Sequence, residues 1–147
     1  MGPRSEYRIL HLSPAGDTLR EIVSAAAPLP VTTRDIAKWE QQPGTRSFLD
    51  MGGRAGHDRI PDHKPYFTEL HVDPDGNLWV DVPTANGITA FDVFDADGRL
   101  MGRLSTDVRR VRWVKPLIRH GRLYIVVAGE LDVPNVHVLR IETDTGV

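Results

Sequence analysis

Five histidine and aspartate side chains fall within fifteen positions in the middle of the chain, and such side chains are ligands for zinc and other transition metals. Their spacing matches no metal-ligand motif of the HExxH kind. We therefore interpret them as polar residues of a loop, and we expect no metal, no cofactor and no catalytic residue in this chain. The five residues are His57, Asp58, Asp62, His63 and His71.

Two short acidic segments, DPDG at residues 73–76 and DADG at residues 95–98, could suggest calcium-binding loops. A calcium loop of the EF-hand type needs further oxygen ligands and a glutamate at its end, which neither segment supplies. Asp followed by Gly is also the usual composition of a tight turn between strands. We therefore predict a strand turn, and no calcium site, at each segment.

The motifs of several common enzyme classes are absent from the sequence. There is no GxSxG nucleophile motif, no P-loop and no GxGxxG after a strand. The chain contains no cysteine, which excludes disulfide bonds, thiolate metal sites and cysteine catalysis. Arg109, Arg110 and Arg112 stand close together, and we interpret them as an exposed strand edge rather than a phosphate site.

The first secondary-structure element predicted from the sequence is a β-hairpin. Apolar and polar residues alternate on both sides of a PAGD turn. This predicted hairpin covers residues 7–24. One short helix follows in TTRDIAKWEQQ, with Thr32 or Thr33 as its N-cap. We expect the helix to end before Pro43, and residues 45–63 to form an irregular loop.

From residue 65 onward the sequence pattern is that of strands alone. Four apolar segments joined by short turns fill residues 65–105, and three further strands fill residues 112–142. The turn glycines of the two sets, Gly76 and Gly121, stand 45 residues apart. This spacing matches the period of roughly 40–50 residues in propeller blades, which are four-stranded antiparallel units in tandem.

Several segments of the sequence resemble one group of repeat proteins. KPYFTELHVDPDGNLWV, FDVFDADGRLMGRL and GRLYIVVAGELDVPNVHVLRIE resemble the C-terminal blades of bacterial six-bladed β-propellers, the NHL-like group. PLPVTTRDIAKWE and IPDHKP also resemble the helical insert and crossover before a late blade of that group. The resemblance covers residues 7–142. It implies an all-β fold, a partial β-propeller with one complete blade, two incomplete blades and one short helical insert.

This resemblance divides the single propeller-like domain, residues 1–147, into four parts. Residues 7–24 would form the outer hairpin of a first blade, and residues 25–64 the helical insert and loop. Residues 65–105 would form a complete blade, and residues 112–142 a last blade of three strands. Because six blades of about 45 residues need roughly 270 residues, the chain would be the C-terminal part of a larger ring.

The resemblance also implies roles for individual side chains. The first strand of a blade lines the central channel, whose mouth is the usual ligand site, and a partial ring leaves blade faces exposed. We therefore expect self-association, or a partner chain that covers those faces. The expected ligand contacts are His63, Lys64, Tyr66, Glu69 and Lys115, and the expected packing residues between blades or copies are Tyr7, Leu12, Trp79, Phe91, Phe94 and Tyr124.

The charge and hydropathy of the whole chain restrict the classes of partner that we expect. A net charge of −2 gives no basic field that would bind nucleic acid, so we expect no nucleic-acid partner. No apolar stretch approaches the roughly 18 residues that span a membrane. Residues 1–10 lack the basic-then-apolar order of a signal peptide, and the sequence leaves the compartment open.

The function predicted from these features is that of a non-catalytic binding or scaffold module with an unidentified ligand. Two alternatives stay open. In the first, the chain is part of a lactonase-like hydrolase or lyase, where Asp, Glu, Asn or His side chains from several blades hold a metal in the channel. In the second, it is a short chain that assembles into a ring from several copies.

Overall fold

Nine strands form three antiparallel sheets in the computed structural model, which describes residues 6–54 and 56–142. Within each sheet every strand pairs with the next strand along the chain, and the all-β class is thus confirmed. Within the described residues no sheet closes on itself, so the propeller remains a proposal. Sheet 1 contains β1 (Tyr7–Leu12) and β2 (Thr18–Ser24); sheet 2 contains β3 (Glu69–Val72), β4 (Leu78–Asp81), β5 (Ala90–Phe94) and β6 (Leu100–Ser105); sheet 3 contains β7 (Leu117–Arg119), β8 (Arg122–Ala128) and β9 (Pro134–Arg140).

Two short helices lie between sheets 1 and 2 in the chain, so the expectation of a single helix is wrong. α1 (Thr33–Glu40) ends before Pro43 as expected, but Pro43 then begins α2 (Pro43–Asp50), which extends into the expected irregular loop. The physical reason is that proline suits the first turn of a helix, where the N–H it lacks would have no intrahelical partner. Neither of these described helices is long and apolar enough to cross a membrane.

Sheet 1 packs on one face of sheet 2 around the buried ring of Tyr7. Its ring centroid lies 6.3 Å from that of Phe94, and its hydroxyl donates to Oδ2 of Asp92 at 3.0 Å. Arg103 also donates to Asp92, with Nε 2.6 Å from Oδ1. Burial, followed by the negative charge of Asp92, raises the pKa of Tyr7, so the phenol stays a proton donor. A directional polar contact therefore fixes how the first two sheets align.

Sheet 3 packs on the opposite face of sheet 2, around Trp79 and Phe91. The two rings meet edge to face with centroids 5.8 Å apart, and both side chains are almost fully buried. Ile118, Leu123 and Ile125 of sheet 3 complete this second core. Because neighbouring residues of a strand point to opposite faces, the two sides of sheet 2 supply separate apolar surfaces for its two neighbours.

Four of the six predicted packing residues lie between sheets, and two lie on faces that no other described sheet covers. Leu12 is 48 % exposed on the outer side of sheet 1. Tyr124 is half-buried and points away from sheet 2, because its neighbours in β8 point toward it. The four residues between sheets are Tyr7 and Phe94 in the first interface, and Trp79 and Phe91 in the second.

The DPDG turn between β3 and β4 is held by the carboxylate of Asp73. Its Oδ1 accepts hydrogen bonds from the backbone N–H groups of Asp75 and Asn77 at 3.0 and 2.9 Å. Its Oδ2 accepts from the side-chain amide of Asn77 and the indole N–H of Trp79, both at 2.9 Å. Burial raises the pKa of Asp73, but these hydrogen bonds outweigh burial and leave that pKa below its ordinary value. The carboxylate therefore stays charged and holds the turn.

Replacing Asp73 by Ala should lower the free energy of unfolding by about 3 kcal/mol, because it also leaves the buried indole N–H of Trp79 without an acceptor. Asp95→Ala is a matched control. Asp95 accepts the equivalent backbone bonds, from Asp97 and Arg99, and no bond to a buried group among the described residues. We expect a loss of about 1 kcal/mol for the control, measured by urea unfolding at neutral pH.

The stability that Asp73 contributes should also depend on pH. A lowered pKa in the folded state means that Asp73 stabilises the fold above the ordinary aspartate value of about 3.9. That stabilisation is lost as the pH falls through the lower, folded-state pKa. The gap between the wild-type chain and Asp73→Ala should therefore shrink in acid. Equal losses for the two variants at neutral pH would contradict the role given to Asp73.

Candidate functional site

A cavity of about 870 Å³ lies where the helical insert meets the start of sheet 2. Backbone hydrogen bonds hold its wall: the N–H of Val31 donates to the carbonyl of Asp62 at 2.8 Å, and the N–H of Lys64 donates to the carbonyl of Leu29 at 2.7 Å. The insert is thereby tied to the segment that leads into β3. The lining consists of Pro28 and the continuous segment of residues 61–70.

Four of the five ligand residues that the resemblance implies line this one cavity. Lys115 is not among the lining residues. It lies in the segment before β7, and it is exposed there. The structure therefore brings together His63, Lys64, Tyr66 and Glu69, and leaves Lys115 outside.

The ammonium group of Lys64 is already paired inside the protein. Its Nζ lies 2.8 Å from Oδ1 of Asp35, and the lysine side chain is largely buried. Asp35 also closes the capping box of α1, where its Oδ2 accepts the backbone N–H of Thr32 at 2.9 Å. The hydrogen bond from Lys64, followed by that from the Thr32 backbone, holds the pKa of Asp35 well below its usual range. The positive charge of Lys64 is therefore balanced before any ligand enters.

Glu69 joins the cavity to a buried ion-pair network. Arg110 donates from Nη2 to Oε2 of Glu69 at 2.7 Å and from Nε to Oδ2 of Asp81 at 3.0 Å. Its Nη1 donates to the carbonyls of Arg112 and Val114, both at 3.1 Å. The side chains of Arg110 and Asp81 are only 3 % and 5 % exposed. Two carboxylates thus share one guanidinium, and the network keeps one negative charge in excess.

His71 borders the same network with a buried side chain: its Nε2 lies 3.3 Å from Oε2 of Glu69 but makes no hydrogen bond to any described residue. Burial is the main cause that lowers the pKa of His71, so the imidazole is neutral. Glu69, His71 and Asp81 offer metal-ligand atoms within 4.8 Å of one another. Arg110, however, already donates to both carboxylates, and its charge repels a cation at that point. We therefore assign the network a structural role.

The histidines and aspartates that first suggest a metal centre occupy three different environments. His57 binds a glutamate of α1, with its Nε2 2.6 Å from the carboxylate oxygen. Asp62 and His63 line the cavity, and His71 borders the ion-pair network. The side chain of Asp58 lies outside the described part of the chain.

No protein-family model, curated protein or solved structure matches this chain. The resemblance to propeller blades therefore stays an expectation. The function must be inferred from the cavity and from the surfaces of the three sheets.

Arg110 and Asp81 are the site residues that the sequence analysis missed. Interpreting Arg110 as part of an exposed strand edge is wrong, because this residue is 8 % exposed. Asp81 carried a usable signal: it directly follows the apolar segment LWV, and an acidic residue at a buried strand position requires a cationic or hydrogen-bonding partner. The signal does not identify the partner, which stands 29 positions further along the chain.

Proposed function

We propose that this protein is a non-catalytic binding module whose cavity takes a small organic cation. The supporting observation is the balance of charge in the lining. Asp62 and Glu69 contribute two carboxylates, whereas the ammonium group of Lys64 is neutralised by Asp35. Glu69 also belongs to a network that has one negative charge in excess. The cavity therefore favours a positive ligand over a negative one.

The remaining lining residues suit an organic cation better than a hydrated metal ion. Tyr66 and Phe67 supply aromatic rings, and Pro28, Pro61 and Pro65 supply apolar walls. Aromatic rings attract ammonium groups that approach their faces within about 6 Å, and the attraction is strongest where the cation is desolvated. The cavity volume of about 870 Å³ also falls in the range of small-molecule sites, roughly 300–1,000 Å³.

The lactonase-like alternative requires a metal ion held by carboxylates and histidines. Among the described residues, Glu69, His71 and Asp81 form the one cluster of this kind, and Arg110 occupies both of its carboxylates. A binding function therefore fits the cluster better than metal-dependent hydrolysis. Elemental analysis of the purified protein should find only substoichiometric zinc and calcium. One tightly bound equivalent of either metal would overturn the proposal in favour of an enzyme.

Choline should bind the cavity more tightly than 3,3-dimethyl-1-butanol, the neutral analogue of the same shape. We expect about a tenfold difference in Kd, because a cation near aromatic rings and a carboxylate gains about 1.4 kcal/mol. A titration followed by ¹⁵N NMR gives both dissociation constants and identifies the affected amides. Those amides should lie in residues 61–70, the segment that lines the cavity.

The carboxylate of Asp62 provides a variant for the same titration. Asp62→Asn should weaken choline binding about threefold and leave the neutral analogue unaffected, because a partly exposed charge contributes modestly. Asp97→Asn is the control, since Asp97 is exposed in the β5–β6 turn and does not line the cavity. Equal affinity for the two probes, or amide shifts outside the cavity segment, would refute a cation site here.

A further inference from the structure

The outer face of sheet 1 carries apolar side chains, although the solvent side of an antiparallel sheet is usually polar. β1 and β2 turn Ile9 and its neighbours toward sheet 2, so the alternate residues point the opposite way. Four of these outward residues are between 46 % and 63 % exposed. They form what we call the hairpin face: Leu10, Leu12, Leu19 and Val23.

Sheet 3 presents a second apolar face at the other end of the stack. β8 turns Leu123 and Ile125 toward sheet 2, and the residues between and beyond them point away. The strand register places their partners from β7 and β9 on the same outer side. Three residues of this surface are more than half exposed. We call it the end face, and it consists of Leu117, Tyr124, Val126, Val136 and Val138.

Within the chain, apolar sheet faces are buried against each other twice. The inner face of sheet 1 packs on sheet 2, and the opposite face of sheet 2 packs on sheet 3. The hairpin face and the end face lie at opposite ends of this three-layer stack, so they do not cover each other. A second copy that continues the stack brings the end face of one chain onto the hairpin face of the next, and removes both apolar surfaces from water.

The charges beside the two faces favour packing the end face of one chain on the hairpin face of another. Arg119, Arg122 and Arg140 are cross-strand neighbours in one row at the edge of the end face. Like charges directly opposite each other destabilise a sheet, and none of the three has an ion-pair partner among the described residues. Glu21 and Arg8 point to the same side as the hairpin face and form an ion pair with each other, so the charges on that side balance. Packing end face on hairpin face places the arginine row against a side whose charges balance, whereas two end faces together would oppose two such rows.

We propose that two copies of this chain associate head to tail, with the end face of each packed on the hairpin face of the other. A contact between two different surfaces either closes into a ring or grows into a fibre. Closed rings of stacked antiparallel sheets contain about four to eight sheets. Two copies supply six sheets, which falls within this range, whereas three copies supply nine and exceed it. The association does not involve the ligand cavity, so either proposal can fail without the other.

Light scattering after size-exclusion chromatography should give the wild-type protein about twice the 16.4 kDa mass of one chain. Val138→Glu in the end face and Leu10→Glu in the hairpin face should each raise the dissociation constant at least about 30-fold and give the single-chain mass. Leu131→Glu is the control, because Leu131 is 96 % exposed and belongs to neither face. The control variant should remain a dimer.

Mixing the two monomeric variants distinguishes a head-to-tail contact from a symmetric one. Leu10→Glu keeps an intact end face, and Val138→Glu keeps an intact hairpin face. The mixture should therefore form a heterodimer through one intact interface, although neither variant associates alone. In a symmetric contact between two end faces, Leu10→Glu alone would dimerise and mixing would add nothing, which would overturn the proposal.

A monomeric wild-type chain at all accessible concentrations would also overturn it. Circular dichroism verifies that each variant keeps its β structure, since the substituted residues are partly exposed before association. If a first variant loses its fold, Leu19→Lys and Val136→Lys repeat the experiment at neighbouring positions of the same two faces. Formation of a heterodimer in a mixture of these two variants would again indicate a head-to-tail contact.

Discussion

Replacing Arg110 by Met should lower the free energy of unfolding by about 3–5 kcal/mol. The substitution preserves most of the side-chain volume and removes the only cation that the structure places between Glu69 and Asp81 within the described residues. Asp81 would then be a buried carboxylate without its counterion, which is among the costliest defects a point mutation creates. Guanidinium chloride unfolding followed by circular dichroism measures the loss.

A matched arginine separates this effect from a general loss of positive charge. Arg99→Met removes an arginine whose side chain is 80 % exposed and 3.6 Å from Asp97, and it should change stability by less than about 0.5 kcal/mol. Asp81→Asn in the Arg110→Met background should cost less than the two single losses added together, because the unpaired charge is gone. Additive losses, or equal losses for the two arginine variants, would refute the buried network.

Replacing Phe91 by Ala should destabilise the fold by about 3–5 kcal/mol, because it removes a fully buried ring between sheets 2 and 3. The ring contacts Trp79 edge to face at 5.8 Å and lies 6.2 Å from the ring of His71. No neighbouring group of similar size can fill the space without moving the sheets. Urea unfolding gives the loss in the free energy of unfolding. An unchanged dependence of that free energy on urea concentration would indicate that the transition stays two-state.

Hydrogen exchange should show where this defect acts. Amides of sheet 3 should lose protection in Phe91→Ala before those of sheet 1, because sheet 1 packs on the other face of sheet 2. Leu131→Ala is the control, since Leu131 is 96 % exposed, and it should change stability by less than about 0.5 kcal/mol. Uniform loss of protection across all three sheets would show that the two apolar interfaces are not separate.

The strands follow from the sequence because their turns have local causes. Gly76 and Gly121 adopt φ values of 84° and 67°, a region that favours glycine, and apolar alternation resumes on both sides of each turn. α2 does not follow in the same way, because Pro43 both prevents the continuation of α1 and suits the first turn of a new helix. The presence of proline alone therefore does not predict whether a loop or a new helix follows α1.

The candidate site could be predicted only in part, for a physical reason. His63, Lys64, Tyr66 and Glu69 lie within seven positions, so any fold that extends this segment places them near one another. The pairing of Lys64 with Asp35 spans 29 positions, and that of Arg110 with Glu69 spans 41. Such partners depend on how separate elements pack, which alternation and turn signals do not encode.

The pairing of consecutive strands within each sheet determines the order in which this protein can fold. Each sheet needs only its own consecutive residues, so hairpins form early and quickly as the chain emerges during synthesis. The contact between Tyr7 and Asp92 spans 85 positions and needs the fifth strand in place. The β1–β2 hairpin can therefore form before sheet 2 exists, but it packs on sheet 2 only after β5 is in place. Until then its inner apolar side is exposed to other chains or to chaperones.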